Sequence, residues 1–184
     1  MTPAAASEAS VPATAAAVVD LLNSRAYAIH TDKLDDPELA HTLLKPFGQD
    51  ESPIPPQRLD LVRGLRSNLM TLLTPEDPAD AAQAWTTFTE RTSSAAFTQD
   101  FSTPGTVQQH QIAGDTVVGG ITLHIADLVA GGMWGRLRIC ANHECTKVFY
   151  DTTRSRTHRW HSYELCGNRV NVASHRARAG TPGH

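Results

Sequence analysis

All three cysteines of this chain fall between Cys140 and Cys166, and two equal spacings organise them. Cys140 and Cys145 form C-x4-C in CANHEC, and His161 and Cys166 form H-x4-C in HSYELC, with fifteen residues between the two pairs. Tetrahedral zinc takes four thiolate or imidazole ligands, and half-sites of this kind supply two from a turn and two from a second element. Three thiols leave one unpaired in any disulfide scheme, which favours metal over cystine. Buried, metal-free cysteines packed as small hydrophobes are the plain alternative. His143 lies inside the first half-site, where one tight turn has little room for three ligands, and His158 and His175 lack the matching spacing, so His161 is the expected fourth ligand. Four protein ligands make one closed, structural Zn2+ site per chain, with no position open to water. Asp60, Asp77 and Asp80 fall at helix starts or on the surface, and no nucleophile elbow, P-loop or HExxH pattern is present. We expect no enzyme.

The residues around the ligands are basic. Residues 1–135 hold 7 Lys and Arg against 16 Asp and Glu, a net −9, whereas residues 136–184 hold 9 against 3, a net +6. A basic module on an acidic body points to a polyanionic partner, and a solvated arginine-rich helix is the bland counterpart. Ser162 is placed to cap a helix running to about Arg178, with Glu164 in its first turn. At helical spacing Cys166, Val170, Ala173 and Ala177 share the stripe facing the metal, Arg169 and Arg176 share one flank, and Arg178 takes the other. Asn168, Asn171 and His175 then face outward. Arginine on phosphate or guanine and asparagine on adenine would make this a DNA-reading surface, with Arg154, Arg156 and Arg159 adding phosphate contacts from the preceding loop. Arg169 has a second reading, as a brace on knuckle carbonyls or on Asp151.

These groups need elements to hold them. Ala13 to Arg25 has helical spacing through Ala15, Val18, Val19 and Leu22. Asp36 with Pro37 starts a second helix, stopped by Pro46 and Gly48. Leu59, Val62, Leu65, Leu69 and Leu72 give the strongest helical face, and a fourth helix runs from Pro78 to about Arg91. Phe97, Phe101 and the alternation in TVQQHQI predict a β-hairpin. ITLHIADLVAGGMW then returns to helical spacing, ending at Gly131-Gly132. The predicted fold is α+β: a mainly helical N-terminal domain with a β-hairpin, residues 13–135, and a small finger of knuckle plus helix, residues 136–178. Disordered tails are expected at 1–12 and 179–184. No apolar run reaches the ~18–20 residues of a membrane helix, and the alanine-rich start lacks a basic leader segment. A cytoplasmic protein without membrane contact is expected.

The run from Arg136 to about Arg178 resembles the CGNR-type zinc finger, whose name is the tetrapeptide standing here as Cys166-Gly167-Asn168-Arg169. The C-x4-C knuckle, the Phe149-Tyr150-Asp151 step and the stretch TTRSRTHRW belong to the same likeness. The upstream chain, with DLLNSR and the long leucine helix, resembles the ABATE domain, the usual partner of this finger in stress-induced transcription regulators. The resemblance implies structural zinc, DNA binding and transcription regulation, with the body sensing a small-molecule effector or forming a homodimer. One departure stands out. That family ordinarily has cysteine where this chain has His161, which leaves the zinc site one negative charge fewer than four thiolates would.

A competing reading makes the finger a structural cap on a ligand-binding or protein-interaction module. In that case Asn23, Arg25 and His30, near the end of the first helix, are the candidates to line a small-molecule pocket, although capping or surface roles are open to each.

Overall fold

The computed structural model describes residues 10–27 and 30–170. The fold is α+β and mainly helical, as the sequence predicts. Helix α1 (Ala13–Leu22) buries Ala15, Val18, Leu21 and Leu22. It stops three residues before the expected Arg25. Beyond Leu22 the polar groups are taken up elsewhere: the Ser24 hydroxyl donates to the Leu21 carbonyl at 2.6 Å, and Asn23 is turned to a strand far along the chain. Helix α2 (Pro37–Leu44) starts as expected, with the Asp36 carboxylate accepting from the Glu38 and Leu39 amides, each at 2.9 Å.

Helix α3 (Pro56–Leu73) and α4 (Pro78–Thr92) form an antiparallel pair, α4 capped by Asp77. The strands β1 (Ala96–Asp100) and β2 (Gln108–Ala113) make the expected hairpin, pairing Phe97 with Gln111 and Asp100 with Gln108. Phe101 lies just beyond β1 and is exposed. Helix α5 (Thr116–Ala130) begins before the expected segment because Asp115 caps Val117 and Val118 at 3.0 and 3.1 Å, which carries both valines into the core. No helix of the described residues is long and apolar enough to cross a membrane.

Helices α1, α3 and α5 enclose one core, built on Val18, Leu21, Leu65, Leu69, Ile121 and Leu128. Two polar networks run through it. Arg66 is buried against Asp32 and Ser24: Nη1 donates to Ser24 Oγ at 2.7 Å and Asp32 Oδ1 at 2.8 Å, and Nη2 donates to Asp32 Oδ2. Asp32 also accepts from the Leu34 amide, so a single carboxylate folds the loop after α1 onto α3. Arg58 donates to Asp115 Oδ2 at 2.7 Å and to the fully buried Gln49 at 3.0 Å, tying α3 to the start of α5.

A second hairpin follows α5. Strands β3 (Leu137–Ile139) and β4 (Val148–Tyr150) pair antiparallel and bracket the C-x4-C segment. Three residues each are too short for an alternation to show in sequence. Leu137 and Val148 are buried in the same apolar cluster as Val18 and Leu21, so the metal-binding segment is seated on the body.

Candidate metal centre

The knuckle is a turn built on Asn142. Its carbonyl accepts from the Cys145 amide at 2.9 Å, and its side-chain oxygen accepts from the Glu144 amide at 3.1 Å. The Cys140 amide donates to the Lys147 carbonyl at 2.8 Å, closing the turn at the mouth of the hairpin. Thr146 leaves it with φ of 52°. The Ala141 amide donates to the Arg159 carbonyl at 2.8 Å, which brings the later segment alongside. His161 therefore arrives opposite the knuckle. Ser162 caps the following turn, its Oγ accepting from Leu165 N at 3.2 Å. That turn, Tyr163–Gly167, is π-helical where an α-helix was expected, and ordinary helical geometry resumes at Asn168–Val170. A Cβ at Gly167 would lie 2.7 Å from the Tyr163 ring, so the CGNR glycine lets the ring fold over the turn.

The four expected ligands converge. The ligand atoms of Cys140, Cys145, His161 and Cys166 all lie within 4.8 Å of one another. His161 Nδ1 is 3.3 Å from Cys145 Sγ and 3.6 Å from Cys166 Sγ. A tetrahedron with Zn–S near 2.3 Å and Zn–N near 2.0–2.1 Å puts its ligand atoms about 3.5–3.8 Å apart, so the two His161–sulfur separations are those of a zinc site and the full set is gathered to about that size. Cys140 and Cys166 are buried and Cys145 partly so. His143 and His158 are exposed and stay outside the cluster.

The four groups also perturb one another's protonation. Burial pushes the Cys145 thiol up to about 11, and its hydrogen bonds with the other two sulfurs add to the rise. At Cys166 burial works against the thiolate, but Asn142 and the neighbouring thiols hydrogen-bond it, and its pKa is lowered. Burial, and then the Lys147 ammonium, hold the His161 imidazole below its ordinary value. Both effects favour the neutral imidazole, the form that binds a metal. Zinc would be held by these four residues, and its chemistry there would be structural.

Beyond the ligands, a buried carboxylate organises the arginine loop. Asp151 is fully buried and accepts from Thr153 N, Thr153 Oγ1 and His158 N at 2.9, 2.5 and 2.9 Å. Burial opposes its charge, and those donors outweigh the penalty, holding its pKa below the usual range. Arg136 donates to the Asp151 and Thr153 carbonyls, both at 2.9 Å, and Arg138 to the Arg156 carbonyl at 2.6 Å. Sequence reasoning missed these two arginines as braces. Only the FYD step signalled the position of Asp151.

Arg154, Arg156, Arg159 and Arg169 are exposed, as is Asn168. Arg159 lies over the Trp160 ring at 5.3 Å. Arg169 makes no hydrogen bond or ion pair with another described residue, and the oxygens of Asp151 are engaged within the loop, so Asp151 is not its partner. Arg169 instead borders a cavity with Asn142, Glu144, Cys145, Tyr27 and His30. Asn171, His175, Arg176 and Arg178, with Ala173 and Ala177, lie outside the described residues.

Asn23 and Arg25, the candidates for a ligand, have their polar groups on the knuckle hairpin. Asn23 Nδ2 donates to the Val148 carbonyl and Val148 N donates to Asn23 Oδ1, each at 2.8 Å. Arg25 donates to the Leu22 carbonyl at 2.7 Å and to the Thr146 carbonyl. His30 is exposed and pairs with Tyr27 across a single β-bridge.

Residues 136–179 match the sequence model of the CGNR zinc finger. That span contains the whole cluster together with β3 and β4. No curated protein matches the chain. The chain therefore carries a CGNR zinc finger whose Cys140, Cys145, His161 and Cys166 are arranged to bind one metal ion, consistent with one structural Zn2+.

Proposed function

We propose that this protein is a transcription regulator that binds DNA through the zinc-organised finger, with the helical body, read as ABATE-like, serving as its effector-sensing or dimerising part. One observation carries this reading. Arg154, Arg156, Arg159 and Arg169 stand exposed on one metal-braced unit, and none is ion-paired among the described residues. Backbone carbonyls taken by Arg136 and Arg138 hold the loop that presents Arg154 and Arg156. Exposed guanidiniums without carboxylate partners, carried on a braced loop, suit a phosphate backbone. One finger offers few base contacts, which favours action as a homodimer. We assign no catalysis, since four protein ligands leave zinc no open position.

The test is binding of the zinc-loaded chain to duplex DNA between about 50 and 200 mM salt, where log K should fall by about 0.9 per log unit of salt for each phosphate neutralised. Replacing Arg154 and Arg156 with alanine should flatten that slope by about 1 to 2. A flat response in the parent chain would overturn the reading.

A second reading is favoured by the seating of the finger on the body through Asn23, Arg25 and the shared core. In it the finger is a structural cap. DNA binding would then be absent while zinc removal still unfolded the chain.

A further inference from the structure

Where α3 and α4 pack antiparallel, each turns a polar stripe toward the other. Gly64, Ser67, Asn68 and Thr71 recur at the i, i+3, i+4, i+7 spacing of one helix face, and Asp80, Gln83, Ala84, Thr87 and Arg91 do the same on the partner helix. Two helices that met only to bury surface would place apolar residues here. The apolar residues of α3, Val62, Leu65, Leu69 and Leu72, are instead committed to the core. Between the stripes lies a groove of about 820 Å3, inside the ~300–1,000 Å3 range of small-molecule sites. It is clear of the finger.

Two features of this groove stand against the stability of the fold, and a third leaves a guanidinium unpaired. Asn68 is nine-tenths buried in its wall. Its Nδ2 donates to the Ala84 carbonyl at 3.0 Å, which fixes the orientation of the amide and leaves Oδ1 buried without a hydrogen-bond partner. A buried acceptor left in that state is costly and calls for a donor. Gly64 stands in the interior of an eighteen-residue helix, where glycine is among the least favoured residues. A Cβ there would lie 2.7 Å from Arg91 Nη1, so the glycine admits the guanidinium to the surface of α3. Arg91 itself makes no hydrogen bond or ion pair among the described residues. A basic residue in the last turn of a helix is ordinary. One laid over an interior glycine, beside an unpartnered buried acceptor, is a recognition arrangement.

We propose that this groove binds a small polar molecule bearing a carboxylate or phosphate, with Arg91 taking the anion and a small turn of the Asn68 side chain opening Oδ1 to a donor on the ligand. The hydroxyls of Ser67, Thr71 and Thr87 and the amide of Gln83 supply further polar contacts, and the carboxylates of Glu76 and Asp80 line the far end of the groove, so the anion is held at the Arg91 end, eleven residues along α4 from Asp80. The proposal locates the effector site that the regulator reading gives to the body, and rests on that reading only for its regulatory meaning. Binding is read in the groove without DNA, so failure here leaves the DNA result standing, and the reverse also holds.

The experiment titrates the zinc-loaded full chain with N-acetylglycine, which carries a carboxylate and an amide N–H, with inorganic phosphate, and with neutral N-acetylglycinamide, following amide and side-chain 1H–15N shifts. The expected result is a saturable shift of Gly64, the Asn68 side-chain amide, Gln83 and Arg91 with at least one anion. Its Kd should be on the order of 1–10 mM, as suits so small a probe. Saturation by N-acetylglycine marks a carboxylate ligand and by phosphate alone a phosphorylated one. Binding should weaken about tenfold for the neutral amide and in Arg91→Gln. Gly64→Ala, which favours the helix and so stays folded, should weaken it similarly by displacing the guanidinium. Absence of saturable shifts in the groove with both anions up to about 100 mM would overturn the proposal. So would equal affinity for the neutral amide, or unchanged affinity in both variants.

Discussion

The side-chain amide of Asn23 engages both backbone groups of Val148, 125 residues away, donating to its carbonyl and accepting from its amide, each at 2.8 Å. This is the exchange a neighbouring strand would make, so a single residue at the end of α1 occupies the free edge of β4. Asn23→Ala should lower unfolding stability by about 2 kcal/mol, at about 1 kcal/mol per hydrogen bond, read by urea denaturation of the zinc-loaded protein. Asn23→Asp should rescue little, because a carboxylate cannot donate to the Val148 carbonyl.

His161 should prove an obligatory ligand. His161→Ala should reduce zinc affinity by more than the ~10–100-fold typical of losing a mere supporting contact, measured by chelator competition. His161→Cys should retain one zinc per chain, since a thiolate fits the same tetrahedral position. Full zinc occupancy and affinity in His161→Ala would remove histidine from the site.

Chelation should reach the body. Leu137 and Val148 belong to the core formed with Val18 and Leu21, so stripping zinc should lower the midpoint of the whole thermal transition. Hydrogen exchange should show lost protection at Leu21 and Leu22 as well as in β3 and β4. Protection lost from residues 136–170 alone would mean that the finger melts independently.

Acid should act through the buried ion pair. Burial disfavours the Asp32 carboxylate, and the hydrogen bonds and charge of Arg66, with the Leu34 amide, outweigh that penalty and hold its pKa below the ordinary value. A carboxyl depressed in the folded state binds protons more readily when unfolded. Its contribution is complete above about pH 4–5 and is lost as pH falls through the folded pKa. Asp32→Asn should be less stable than the parent at pH 7, and its stability should fall less between about pH 5 and pH 2. Parallel acid curves for the two proteins would exclude the pair as a source of acid sensitivity.

The metal ligands could be read in advance because ligand chemistry is written in residue type and local spacing: C-x4-C and H-x4-C name the four residues that converge. Helix starts were equally local, Asp36-Pro37 and Asp77-Pro78 each marking a cap and first turn. What stayed hidden depends on partners distant in sequence. Asn23 and Arg25 stood out by position, but their partners Val148 and Thr146 become neighbours only in the fold. Arg66 and Asn68 look like solvent-facing residues of a leucine helix, and both are buried, because Asp32 neutralises the first and Ala84 receives the second. The early start of α5 was obscured by Gly119-Gly120, two poor helix formers that follow the Asp115 cap.

The turn Tyr163–Gly167 sets the angular phase of everything after it. A π-helical turn spends one more residue per loop than an α-turn before regular winding resumes. Cys166 is fixed from within by its place among the four ligand groups, so the residues that follow, beginning with Asn168 and Arg169, are rotated by about 100° relative to an uninterrupted α-helix from the same cap. The direction in which the CGNR asparagine and arginine point is therefore decided by the bookkeeping of a single turn. The same residues wound as an ordinary α-turn would keep every functional group of the finger and aim those after it at a different quarter of the surroundings.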